Sequence, residues 1–238
     1  MLARTSTTVH QGLTHVNLRR NAAGARLREW HQVSVLDALF SRHSKAVAKP
    51  RGDQRKTMKA LVQDEYGSPD VLNLEEIAQP VVKDGDVLVR VHAASVNVAD
   101  WLAMRGRPYV ARPALGGLRH PRNRVLGKDV AGQVVAVGRE EERLQAGDEV
   151  FGLCEGSFAE YVSAGADNFV RMPVGLTFEQ AAAVPLAAAT ALRNLRDIGQ
   201  VRPGQKVLIN GAAGGVGTFA VQIAKWLGAE VTGVCSWR

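Results

Sequence analysis

Residues 205–238, QKVLINGAAGGVGTFAVQIAKWLGAEVTGVCSWR, constrain the fold more than any other part of the chain. Residues 206–210 are a short apolar run of strand type, and Gly211, Gly214, Gly215 and Gly217 follow where the chain must turn sharply. Val216, Phe219, Ala220, Ile223, Ala224 and Leu227 then recur at helical spacing and form one apolar stripe. Gly228 stands where a left-handed cap would end that helix, and a second strand follows. Glycines in such a turn let backbone N–H groups approach an anion closely, and the helix offers its positive N-terminal end to it. The spacing Gly-x-x-Gly-x-x-Gly also suits a strand-to-helix turn without a ligand. With a strand on either side, the segment predicts a dinucleotide site in which Gly211, Gly214, Gly215, Val216 and Gly217 meet the pyrophosphate.

The end of the second strand selects among dinucleotides. An acidic residue about twenty positions after the glycines would hold the ribose hydroxyls of NAD, and none is there. Ser236 and Arg238 occupy that window, and a hydroxyl with a guanidinium suits a 2′-phosphate, so NADPH is the expected cofactor. Arg238 as a solvated terminal residue is the competing reading.

A chain of 238 residues with 46% hydrophobic and 22% charged residues has the composition of a soluble globular protein of one or two domains. The longest small-apolar run, residues 181–192, is too short to cross a bilayer, so no membrane partner is expected. The formal charge of +7 is unevenly placed. Residues 1–57 carry eight Arg and three Lys against Glu29, Asp37 and Asp53, a balance of +8, and the remainder carries 19 basic and 20 acidic residues, or −1. An electrostatic case for nucleic acid therefore covers the leader alone, which shows no binding motif, and no nucleic-acid partner is expected. Cys154 and Cys235 are the only cysteines and share no ligand spacing, which argues against a disulfide framework or a four-cysteine zinc lobe and fits a reducing, cytoplasmic setting. His10, His15, His31 and His43 lie in the leader, and His92 and His120 are far apart, so no metal site is expected.

Three regions follow. Residues 1–57 lack sustained periodicity apart from a marginal helical stretch at 30–40, and read as a basic, disordered leader. An organellar transit peptide and an extension preceding a start at Met58 are the other readings. Residues 58–176 read as short strands at 59–63, 72–77, 86–93, 130–137, 149–153, 158–162 and 168–171, a compact β-barrel-like domain interrupted by a proline- and arginine-rich loop at 105–124. Residues 177–238 begin with helices at 178–183 and 186–195, broken near Pro185, and continue into the nucleotide-binding strand.

The segments ASVNVAD (94–100), LGKDVAG (126–132), AGDEVFG (146–152), GSFAEYV (156–162), FEQAAAVPLAAATAL (178–192) and the glycine turn resemble, in order, the medium-chain dehydrogenase/reductases. Among these they are most similar to the zinc-independent quinone oxidoreductases, of the zeta-crystallin-like and enone-reductase type. The resemblance implies an α/β architecture: a GroES-like β-barrel-type catalytic domain followed by the beginning of a Rossmann domain. Zinc-dependent relatives carry a Cys near residues 95–97 and Gly-His-Glu where this chain has Gly127-Lys128-Asp129.

Without a Lewis acid, alcohol oxidation is disfavoured, and hydride addition to a quinone or an α,β-unsaturated carbonyl is the expected chemistry. Asn97 matches the family's active-site asparagine, with an amide able to donate to an oxyanion; a turn-forming Asn after a strand is the alternative. Asp100 is the companion residue, which holds that loop, and its structural role outweighs a chemical one. Thr190 matches a position near nicotinamide and pyrophosphate, or else bonds its own helix backbone. Tyr109 is assigned no catalysis. A doubly wound domain uses about six strands and this sequence supplies two, so an inert fragment with a binding role is the competing expectation. Homodimerisation through the Rossmann sheet edge is expected only of a longer chain.

Overall fold

A computed structural model describes residues 56–115 and 117–236. The expected leader disorder, the helical stretch at 30–40 and Arg238 lie outside the described residues. The chain divides between Leu186 and Ala187 into two compact units.

In the first unit β1 (Thr57–Gln63) pairs antiparallel with β2 (Leu72–Ala78). A five-stranded antiparallel sheet follows, built from β3 (Asp86–Ser95), β4 (Asp129–Val137), β5 (Glu149–Leu153), β6 (Tyr161–Gly165) and β7 (Phe169–Arg171) in the order β6-β3-β4-β5-β7. Alternation along these strands turns Val87, Val89, Val130, Val134 and Val150 into one core, closed by Val162 and Phe169. The sixth strand begins three residues later than the sequence predicts. Phe158 and Ala159 serve β1 instead, with Leu61 N donating to Phe158 O at 2.8 Å and a bridge from Ala60 to Ala159. One apolar run thus changes partner midway, which periodicity alone does not reveal.

Helix α1 (Val98–Arg105) stands between β3 and the loop, where no helix was expected. Asn97 is its N-cap and Asp100 its third residue, and Gly106 closes it in the left-handed region at φ 58°. The loop itself contains a 3-10 turn at Tyr109–Ala111 and a short helix, α2 (Arg112–Leu115). Helix α3 (Phe178–Ala182) is capped by Thr177 and Gln180 and buries Ala181 and Ala182 against Ala93 and Ala131.

Helix α4 (Pro185–Leu192) starts at the proline rather than after it, because proline lacks only an N–H that a first helical turn does not use. It passes into a π-type turn at Arg193–Ile198. In the second unit β8 (Lys206–Asn210) and β9 (Glu230–Val234) pair in parallel across α5 (Gly215–Trp226). Ala191, Leu195, Ile209, Ala220 and Ala224 form its core, with Phe219, Ile223 and Leu227 packed alongside. Val216 departs from the expected stripe: it is 42% exposed in the first turn.

Candidate functional site

Asn97 and Asp100 meet two residues that the motif reading left out, Ser95 and Asp129. Ser95 ends β3 and Asp129 begins β4, and the two are paired across the ladder. Asp129 is fully buried. Its Oδ2 accepts from Ser95 Oγ at 2.8 Å and from Asn97 Nδ2 at 3.0 Å, and its Oδ1 accepts from Leu186 N at 2.9 Å. One carboxylate therefore ties β3, the start of α1 and the N-terminus of α4 together, and its charge suits that helix end. Asp129 stood in the motif LGKDVAG; the signal for its role was a buried acid at the head of a core strand, which needs a partner.

Asn97 is half-buried, and its orientation is fixed by what Asp129 accepts. Its Nδ2 makes a second, longer contact to Ser95 Oγ at 3.3 Å. Asp100 is buried, and its Oδ2 accepts from Asn97 N at 2.8 Å. It holds the cap in place. Burial pushes the Asp100 carboxyl above its usual range; the Asn97 N–H opposes this, the Asp129 charge adds to it and Lys128 offsets it. Lys128 itself is paired with Glu155. Burial likewise pushes the Cys154 thiol up to about 12. Among the described residues, no group of three or more His, Cys, Asp or Glu is placed to hold a metal ion.

Thr190, the glycine turn and Ser236 belong to the second unit. Thr190 is half-buried on α4, and its carbonyl accepts from Asn194 Nδ2 at 2.8 Å. Gly214 is the N-cap of α5, with no side-chain cap and no acidic residue in the first turn, so those N–H groups are free to meet an anion. Gly211 takes φ 74°, and a Cβ on Gly217 would meet Gly211 O at 2.0 Å, whereas one on Gly215 would meet nothing within 4 Å. Gly217 is needed for helix packing, then, and Gly215 leaves room above the helix end. These residues fit a pyrophosphate. Gly211 N and Ala212 N both donate to Val234 O at 2.9 Å, which fixes the turn beside the end of β9, and Ser236 lies exposed just beyond.

Residues 83–174 match the alcohol dehydrogenase GroES-like domain. The quinone oxidoreductase of Homo sapiens is 37% identical over 182 residues, 75% of this chain and 53% of that protein. A mitochondrial NAD(P)H oxidoreductase of Homo sapiens is 35% identical over 238 residues, 92% of this chain and 58% of that one. Among solved structures, the quinone oxidoreductase from Coxiella burnetii superposes with a TM-score of 0.66 at 35% identity, covering 74% of this chain and 56% of that one. The CurK enoyl reductase gives 0.71 at 31%, covering 76% and 55%. A GroES-like domain followed by a glycine-turn βαβ defines a medium-chain dehydrogenase/reductase. Over the residues they share, the chain is similar to the quinone oxidoreductase branch of that family. It spans about half the length of the curated relatives it matches.

Proposed function

We propose that this chain carries the catalytic-domain site and the pyrophosphate turn of an NADPH-dependent, zinc-free oxidoreductase that reduces quinones or α,β-unsaturated carbonyls. The observation that carries this reading is the Asn97 amide, half-exposed and aimed by a fully buried Asp129. One Nδ2 hydrogen stays on Asp129, and the other, on its longer contact to Ser95, is available to an oxyanion that forms on the substrate. Bound NADPH would supply the hydride that adds to the β-carbon of an enone or to a quinone ring. Asp100 and Ser95 keep the asparagine in register. The turn at Gly211, Gly214, Gly215, Val216 and Gly217 would hold pyrophosphate, with Thr190, Ser236 and Arg238 as further cofactor contacts. Lys128, beside the cluster, disfavours a divalent cation there, and this supports chemistry without zinc. Two free cysteines, one buried and one exposed, agree with a reducing compartment such as the cytoplasm.

A second reading, binding without turnover, is favoured by the second unit. Its sheet contains only β8 and β9 among the described residues, and Leu208 and Trp226 are 67% and 76% exposed. Titration with NADPH and with NADH, followed by quinone- or enone-dependent oxidation of the reduced cofactor, separates the two. Saturable binding that favours NADPH with turnover supports the first, and Asn97→Ala should then lower kcat about 100-fold. Binding without turnover supports the second.

A further inference from the structure

Between Asp100 and Asp129 the sequence holds six arginines and no acidic residue, and nothing in the proposed chemistry uses the arginines. Two of the arginines are consumed by structure. Arg112 lies over the rings of Tyr66 and Tyr109 and donates to Gly106 O and Leu118 O, and Arg124 pairs with Asp64 and Glu75. Arg105 and Arg107 have no carboxylate partner among the described residues. Arg107 lies over Tyr109 at 5.7 Å. Arg105 lies over Trp101 at 4.9 Å, and its Nε is shut from solvent with no acceptor.

The position of Arg105 gives that cluster a direction. Asn97, Trp101 and Arg105 are spaced four apart, so they form one row along α1, and the buried Asp100 and Met104 take its other side. Trp101 is 45% exposed within the row and Val98 beside it 74%. At 1.5 Å rise per residue the row is about 12 Å long. It begins at a polar hydrogen-bonding group, continues over apolar surface and ends in the Arg105 guanidinium, with Arg107 two residues further on in the chain.

Resting on the Asn97 reading above, we infer that this row is a substrate track. The substrate is an enone or quinone whose apolar tail lies over Trp101 and ends, about 12 Å from the reacting carbon, in a phosphate or carboxylate held by Arg105 and Arg107. A planar fork with several donors favours phosphate.

The test is calorimetric titration of the full chain, without cofactor, with a linear enone bearing a terminal phosphate at that spacing and with the same compound ending in an alcohol. The phosphate compound should bind at least about 10-fold tighter, and raising the salt concentration should shrink the difference. R105Q/R107Q should remove the preference and leave the alcohol's affinity unchanged. R105K/R107K should keep part of it, and R139Q, at an exposed arginine outside the segment, should keep all of it. Thermal unfolding of each variant reports its folding, and the salt series tests the unsubstituted chain without any variant. Equal affinities, a preference that survives R105Q/R107Q, or displacement of the phosphate probe by NADPH would overturn the inference; the last outcome would assign the arginines to the cofactor. Loss of NADPH binding with the phosphate preference intact would instead count against the proposed function alone.

Discussion

Asp129→Ala tests whether one buried carboxylate organises the site. The side chain accepts hydrogen bonds from Ser95 Oγ, Asn97 Nδ2 and Leu186 N at 2.8–3.0 Å. Hydrogen bonds to a charged group contribute about 1.5–3 kcal/mol each, so the three together set an upper bound of about 9 kcal/mol before any repair. Ser95 can rotate to another acceptor, and the half-buried Asn97 can reach water. Removing a buried charge also returns its desolvation cost, so the net loss should be about 2–4 kcal/mol. For a chain of this size that lowers the midpoint of thermal unfolding by about 5–15 °C, measured by differential scanning calorimetry. Asp129→Asn retains one acceptor oxygen but turns an N–H toward donors, and should fall between the two. The coupling in an Asn97→Ala/Asp129→Ala cycle should exceed about 0.5 kcal/mol, because the two side chains touch. A shift under about 2 °C for Asp129→Ala, with no coupling, would refute the argument that this carboxylate aims Asn97.

Other residues give separable expectations. Gly217→Ala places a methyl against Gly211 O and should destabilise the second unit, whereas Gly215→Ala has open space, should leave unfolding unchanged and should weaken NADPH binding; calorimetry and titration read the two effects. Asp100 has a folded-state pKa raised above the unfolded one, so its contribution is fully present below the unfolded value and is lost as pH rises through the folded one. Asp100→Asn should therefore be close to neutral or mildly stabilising at pH 7, and should flatten the stability–pH curve in that acidic window. A marked loss at pH 7 would contradict burial as the dominant cause. Cys154 is buried with its thiol pushed up to about 12, so a thiol reagent near pH 8 should label Cys235 alone in the native chain and both cysteines after unfolding.

Some of these features were legible in sequence and others were not, for reasons that differ by element. The strands from β3 to β5, and β8, were written in local alternation and turn residues, and their observed bounds lie within two residues of the expectation. Helix α1 escaped because eight residues give barely two turns of periodicity. Its readable signal was the pair of ends, Asn97 with Asp100 three places on and Gly106 beyond. The displaced β6 escaped for a different reason, since 158–159 bond to β1, roughly a hundred residues earlier in the chain.

The candidate site divides along the same line. Asn97 is singled out by the family resemblance of its motif, and the glycines by their neighbours in sequence. Asp129 is not, because its importance is a property of where β3, α1 and α4 converge, and three partners at 95, 97 and 186 cannot be read from one motif. In this chain a carboxylate between two strands and a helix end performs the cross-linking, and the asparagine that would meet the substrate is a half-buried member of the group whose longer contact to Ser95 is free to exchange. The chemistry proposed for Asn97 and the stability of the first unit therefore depend on the same three hydrogen bonds. A substitution at Asp129 should accordingly disturb kcat and unfolding together, whereas one at Asn97 should disturb chiefly the former.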